Sequence, residues 1–470
     1  MQPLSGTEVY SLGILSVACI AILINAWQSD GEPLYASLAI SGLAFAFSYA
    51  VIRWTGDVFL KRGYKGKDLS KKNPIELPEL MGLISALVYL LAIINFLPFA
   101  FKRDMIQVTS AAGNMDAILE AQQLETGRFL HRFPLRKARR LTRILPCHLA
   151  SYGFAYGTLA STIILGFLDD SFDMRWRHKF FIPAFAVLPM LGLYYVDFGI
   201  THVVVPLPLR GYLGELIDLG GLYYAYMAAI AIFCPNSINI LAGVNGIEVG
   251  QSLVIASLIA LNDALYLLPT VQQPHPAAES HLFSIYLLLP FIGVSLALLR
   301  HNWFPAQVFV GDTYCYFAGM LFAVVGILGH FSKTLLLLLI PQIFNFVYSA
   351  PQLFALVPCP RHRMPRFNAR TGLLEASVAT FDTKPLRPIV GEVLKILHTL
   401  KLLRVKVDAT TGRVLETSNF TILNLWLVWR GPLREDRLAL EILAMQTACG
   451  LAGLWIRHSL ALLLFTADNR

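Results

Sequence analysis

Apolar residues along this 470-residue chain gather in long runs rather than in short alternating stretches. A helix needs about 20 apolar residues to cross the hydrocarbon core of a bilayer, and runs near that length recur throughout. Eleven are read as candidate spans: 12–27, 34–54, 80–101, 149–168, 180–195, 222–241, 253–268, 282–299, 315–328, 335–356 and 438–455. The first has no basic stretch before it and no small-residue cleavage site within it, so it reads as a retained span and not a signal peptide. The expected fold class is an all-α polytopic membrane protein with about 10–11 transmembrane helices.

The polar residues fall unevenly between these runs. Connections after the even-numbered spans hold 61–79, 169–179, 239–248, 301–312 and 357–437, and every dense polar cluster with candidate chemistry lies in that set. The parity predicts one site on one membrane face. Lys and Arg are abundant in 61–72 and in the long late segment, which predicts that this face is cytosolic. A basic stretch at 131–143, HRFPLRKARRLTR, falls on the other side and conflicts with that orientation.

Segment 357–437 is expected to be a small cytosolic α/β insert before the last helix. The alternation in RVKVDATTGRVLETS predicts a hairpin turning near Gly412, and a second turn is signalled at residues 371 and 372. The chain then divides into a catalytic bundle at 1–356, the insert at 357–437, and a last helix with tail at 438–470. Asn419, Phe420 and Thr421 satisfy the N-glycosylation pattern, which a cytosolic insert would leave unmodified.

Composition agrees with a lipid-facing surface. The chain is 56% hydrophobic and 14% charged, against about a quarter charged in a soluble domain. Its net charge of +8 comes without a nucleic-acid-binding motif, so anionic lipid headgroups or a phosphorylated substrate are the expected partners, and nucleic acid is not. Six scattered cysteines with no C-x-x-C pair indicate neither a zinc site nor a disulfide framework.

Four clusters carry candidate chemistry. GFLDDSFDMRWRHKFF, residues 166–181, places Asp169, Asp170, Asp173, Arg175, Trp176, Arg177, His178 and Lys179 where a span meets water. Carboxylates there can bind a divalent cation or orient a phosphate, and the cations can hold the phosphate. A snorkelling helix end explains a lone pair of acids but not this density. CPNSINILAGVNGIEVGQ, residues 234–251, interrupts an apolar run with Asn236, Asn239, Asn245 and three glycines. Amide oxygens suit Mg2+ and glycines admit a nucleotide, though a kinked helix with amides bonding across the bundle fits equally.

HNWFPAQVFVGDT, residues 301–313, ends on Asp312, and a solitary acid at such a boundary is more often simply solvated. PCPRHRMPR, residues 358–366, offers Arg361, His362 and Arg363 as a fork for a diphosphate; basic residues meeting anionic lipid fit the pattern as well. A fifth cluster, GKDLSKK…ELPELMG at 66–82, contains Lys67, Asp68 and Glu79 and is weaker by itself.

Taken together, LDDSFDMRWRHK, NSINILAGVNG, VFVGDTYCYFAG and PCPRHR resemble the polyprenyl-phosphate sugar-1-phosphate transferases, in their eukaryotic, fungal-like branch. The resemblance runs from about Gly66 to the C-terminus and says little about the first span or the basic 102–143 loop. It implies an endoplasmic reticulum membrane enzyme of protein N-glycosylation that moves GlcNAc-1-phosphate from UDP-GlcNAc to dolichyl phosphate on the cytosolic face. It also implies Mg2+ on Asn239 and Asp312, and uridine against Leu69, Asn245 and Phe309. Glu79 would lie in the nucleotide-sugar site with Lys67, Asp68, Asp173, Trp176 and Asn236 around the substrates. Arg361, His362 and Arg363 would hold the sugar diphosphate, and Lys179 the phosphate centre, with Asp169 and Asp170 as organisers or Asp169 as a base.

The PRHR run in place of a histidine-rich loop favours GlcNAc over a muramyl substrate, leaving another UDP-HexNAc or polyprenyl phosphate as the alternative. A homodimer is compatible with the resemblance, which names no residues for it. A transporter would spread polar groups near the midplane with repeat symmetry, and a scaffold would not gather acids, amides and arginines on one side.

Overall fold

The computed structural model of the chain describes residues 4–29, 32–102, 147–172, 174, 179–268, 277–360, 363–381, 388–408 and 413–465. The basic stretch at 131–143 lies outside the described residues. Each of the eleven apolar runs forms helix. The first ten give α1 (Gly6–Gln28), α2 (Pro33–Lys61), α3 (Met81–Ala100), α4 (Cys147–Phe172), the short α5 (Ile182–Ala186) and α6 (Leu188–Asp197), then α7 (Gly221–Ile240), α8 (Ile247–Leu267), α9 (Ala278–Asn302), α10 (Asp312–Leu328), α11 (Ser332–Leu338) and α12 (Ile340–Leu353). Among the described helices seven are long and apolar enough to cross a membrane, or eight when the bent pair α11–α12 counts as one span. The protein is an α-helical, multi-pass membrane protein.

Two runs do not form single rods. The run at 180–195 breaks between α5 and α6, and that at 335–356 bends by 70° between α11 and α12. Pro189 and Pro341 stand in the first turn of the second helix of each pair. A proline has no N–H to give and its ring clashes with the carbonyl four residues back, so the helix restarts there.

Helix α10 lies at the centre: every residue from 313 to 328 is buried. Helices α3, α4 and α7 pack around it, so its apolar surface meets protein and not lipid. Glycines set the close approach. A Cβ at Gly82 of α3 would strike Tyr314, one at Gly166 of α4 would press on Thr313, and one at Gly319 would strike the backbone at Pro235 of α7. Small residues at such crossings let backbones meet and so fix the height of α10 in the bundle.

Short hairpins decorate the helix ends: β1 (Lys65–Lys67) with β2 (Glu76–Pro78), and β3 (His202–Val204) with β4 (Leu216–Asp218). The insert follows α12. Strands β5 (Arg366–Asn368) and β6 (Leu373–Glu375) form an antiparallel hairpin turning at Gly372, where φ is +72°. Strands β7 (Val378–Thr380), β8 (Val405–Val407) and β9 (Val414–Ser418) form an antiparallel sheet in the order β7-β9-β8, with α13 (Pro388–Thr399) between β7 and β8. The arms of the hairpin expected near Gly412 therefore pair, while its turn lies outside the described residues. Helices α14 (Ile422–Arg430) and α15 (Glu435–Trp455) complete the chain's return into the bundle.

Candidate active site

The first N–H groups of a helix have no partner within it. At the head of α10 the Asp170 carboxylate, from the end of α4, takes two of them. Its Oδ1 accepts from the N–H of Asp312 at 2.8 Å, and its Oδ2 accepts from the N–H of Thr313 at 2.8 Å and from the Thr313 hydroxyl. The positive end of the helix dipole favours a carboxylate in that place. The Asp312 side chain is thereby presented to Lys179, whose Nζ donates to Oδ2 of Asp312 at 2.6 Å and lies 3.0 Å from Oδ2 of the buried Asp169.

The segment leading to Asp312 is clamped like an added strand. The N–H of Phe309 donates to the carbonyl of Pro78 at 2.8 Å, that of Met81 to Phe309 at 3.2 Å, and that of Gly82 to Val310 at 2.9 Å. The Phe309 ring lies against Gly66, with the Glu79 carboxylate beside them. A cavity of about 280 Å3 opens here, lined by Tyr64, Lys65, Glu79, Leu80, Asp170 and Ser171 among others.

A second network joins the 66–72 loop to the 241–246 loop. Nδ2 of Asn245 donates to Oδ2 of the buried Asp68 at 3.1 Å. Nζ of Lys71 lies 3.2 Å from that oxygen and donates to Oε2 of Glu435 at 2.5 Å. Oε1 of Glu435 accepts the N–H of Asn245 at 2.9 Å. Lys71 also sits over the ring of Phe304, 4.2 Å from its centre. Asn302 ties the 241–246 loop to the segment before Asp312, accepting from the N–H of Gly246 at 3.1 Å and donating to the carbonyl of Val308 at 2.9 Å.

The 243–246 turn is covered by Trp303 against Gly246 and by Met364 against Gly243. Met364 brings its neighbour Arg363 to the site, and the carbonyl of Arg363 accepts from Nδ2 of Asn424 at 2.8 Å. Nη1 of Arg363 is buried with no hydrogen-bond partner among the described residues. A buried guanidinium nitrogen in that state is costly unless a ligand oxygen meets it.

Electrostatics follow the same layout. Burial alone would lower the Lys179 ammonium, but the Asp312 and Asp169 carboxylates outweigh it and hold its pKa above the ordinary lysine value. Burial, then the charge of Asp312, push the Glu79 carboxyl above its ordinary value. Burial lowers the Arg363 guanidinium.

Among the described residues no group of three or more His, Cys, Asp or Glu side chains is arranged to hold a metal. Mg2+ does not need one. It keeps several waters and binds through one or two carboxylates together with substrate phosphates. The partly exposed Asp312 at the head of α10 and the half-buried Asn239 in the last turn of α7 carry hard oxygens of the kind it takes, on two helices that pack together.

Not every expected residue points inward. Leu69 on the loop and Lys67 at the end of β1 are exposed, and Nδ2 of Asn236 donates to the carbonyls of Phe180 at 3.2 Å and Ile232 at 2.7 Å. Asp173, Trp176, Arg361 and His362 lie outside the described residues. Lys71, Asn302 and Glu435 escaped the sequence reading. Glu435 had the same signal as Asp312, an acid heading an apolar run on the polar-rich side.

Comparison with known proteins settles the family. The description Glycosyl transferase family 4 matches residues 153–330, from α4 through α10. The UDP-N-acetylglucosamine–dolichyl-phosphate N-acetylglucosaminephosphotransferase of Schizosaccharomyces pombe is 47% identical over 463 residues, covering 98% of this chain and 99% of its own. The protein of that name from Saccharomyces cerevisiae is 47% identical over 461 residues, with 97% and 99% covered. The one from Dictyostelium discoideum is 36% identical over 473 residues, with 95% of each covered. The chain belongs to this family. As a member of the N-acetylglucosaminephosphotransferases it is similar to them over both halves of the site: the matched region holding Asp169, Lys179, Asn239, Asn245 and Asp312, and the 357–437 segment bearing Arg363 and Glu435.

Proposed function

We infer that this chain transfers GlcNAc-1-phosphate from UDP-GlcNAc to dolichyl phosphate, giving GlcNAc-diphosphodolichol and UMP, the first step of dolichol-linked oligosaccharide synthesis. The observation that carries this reading is the near-full-length likeness to enzymes named for that transfer. The geometry supports the chemistry. An oxygen of the lipid phosphate attacks the sugar-bearing phosphorus, and the bond from that phosphorus to the UMP oxygen breaks. Such transfers ask the protein for alignment and charge neutralisation more than for covalent work.

Lys179 brings a fixed ammonium to the head of α10, and Arg363 brings a buried nitrogen suited to a phosphate oxygen. Asp170 keeps Asp312 in place by holding its backbone. Asp68, Lys71, Asn245 and Glu435 shape the nucleotide side, with Phe309 on the opposite loop. Mg2+ held by Asn239 and Asp312 would offset the diphosphate charge. A phosphate monoester with its second pKa near 6 is mostly dianionic at pH 7, so Asp169 serves as an organiser of Lys179 and not as a base. The basic loop around Lys61, Arg62, Lys65, Lys67, Lys71 and Lys72 supports a cytosolic site, in the endoplasmic reticulum membrane where the pathway starts.

The test is purified protein with Mg2+, dolichyl phosphate and sugar-labelled UDP-GlcNAc. Label moving into the lipid phase supports the reading; label that stays in the aqueous phase with a folded, UMP-binding protein overturns it.

A further inference from the structure

Helix α13 of the insert has two apolar faces, and only one is used. Val390, Leu394 and Leu397 pack into the insert's own core with Val357, Phe381, Leu403, Val414 and Phe420. Ile389, Val393, Ile396 and Leu400 form a second stripe, spaced by four, three and four residues on one side of the helix. They are 79%, 47%, 59% and 62% exposed. The remaining arc carries Glu392, Lys395, His398 and Thr399. A polar surface helix has no use for four large aliphatic side chains in line.

Where this helix sits says what covers the stripe. Tyr348 of α12, five residues before that helix ends at Leu353, donates to the carbonyl of Leu402, and its ring packs on Phe420. Helix α13 is therefore held beside the point where α12 leaves the bundle, and Phe354 and Leu356 at that exit are also exposed. Next to Leu400, the half-exposed Trp429 donates its indole N–H to the carbonyl of Lys401 at 2.7 Å. Tryptophan beside lysine at a helix end is what the membrane–water interface favours. Exposed Lys401, Arg404 and Lys406 follow the helix within a short stretch, matching the negative charge of anionic headgroups.

We propose that α13 lies in the plane of the leaflet on the active-site side, its Ile389–Val393–Ile396–Leu400 stripe in the acyl boundary and its basic flank on anionic headgroups. The insert is thus attached to the bilayer as well as to the bundle, and the loop bearing Arg363 is held at a fixed height over the membrane. The proposal requires only that the bundle spans a membrane, and is independent of which transfer the site performs.

The experiment places the fluorescent amino acid dansylalanine at position 396, or in a separate protein at the polar-face position 399, in the full chain. Each protein is put into nanodiscs of phosphatidylcholine with phosphatidylserine, and retained UMP binding certifies the fold. The expected result is a blue-shifted emission at 396 that is quenched by lipids spin-labelled near the headgroup, with neither effect at 399. Replacing Lys401 and Arg404 by Gln should reduce the shift at 396. Equal access of aqueous iodide to both positions would overturn the proposal. So would shielding of position 396 only in discs that hold two copies, since a second chain would then be the occupant. A label at position 389 gives the same reading if 396 does not tolerate one.

Discussion

The backbone N–H of Asp312 is held by the side chain of Asp170, 2.8 Å away across the bundle. One carboxylate thus caps the central helix and presents another, with Lys179 bridging from Asp312 to Asp169. The position of Asp312 is set by a helix terminus, which is why both acids stand at span ends in the sequence.

Replacing Asp170 tests that relationship. Asp170→Ala removes both acceptors and should destabilise the protein by about 0.5–2 kcal/mol, the range for a lost N-cap. Asp170→Asn keeps one acceptor oxygen and should fall between Ala and the parent. Turnover should drop in the same order while UMP affinity changes little. Thermal unfolding in detergent and kcat provide the check, and equal values for Asn and Ala would deny the cap its role.

Lys179 and Asp169 should behave as a coupled pair. Lys179→Met leaves the buried Asp169 without its counter-ion, so it should unfold more readily than the parent. Adding Asp169→Asn should restore part of the stability, with a coupling of about 0.5–3 kcal/mol, but none of the turnover. Recovery of both together would make Lys179 a structural residue only.

Arg363 and Glu435 should separate the two ends of the donor substrate. Arg363→Lys keeps the charge but loses the planar fork, and charge-assisted bonds of about 1.5–3 kcal/mol make a tenfold to hundredfold fall in kcat/KM the expected scale. UMP, which lacks the sugar-bearing phosphate, should bind as before. Glu435→Ala instead unties Lys71 and the backbone of Asn245. It should weaken UMP and UDP-GlcNAc alike, by about tenfold for roughly 1.4 kcal/mol. Isothermal titration with UMP distinguishes the two patterns.

Much of this was legible in the apolar runs, because a spanning helix has to be apolar over its length and the sequence alone satisfies that demand. The breaks at Pro189 and Pro341 were not, since a run of apolar residues looks continuous whether or not its backbone bends. Asp169, Asp170 and Asp312 stood out as acids at span ends. Lys71 and Glu435 lie 364 residues apart and meet only through the fold. The glycosylation pattern at Asn419 has a plain physical answer. That side chain is buried, donating to Oγ of Ser377 and accepting from Nε2 of Gln352, so it holds the insert to α12 and offers no exposed amide.

The most direct test follows the phosphorus. UDP-GlcNAc labelled with 32P in the phosphate next to the sugar is given to the purified chain with dolichyl phosphate and Mg2+, and the products are separated. Transfer of the sugar together with its phosphate predicts 32P in the lipid phase and unlabelled UMP in the water phase. Release of 32P-labelled UDP, with sugar alone on the lipid, would contradict the mechanism.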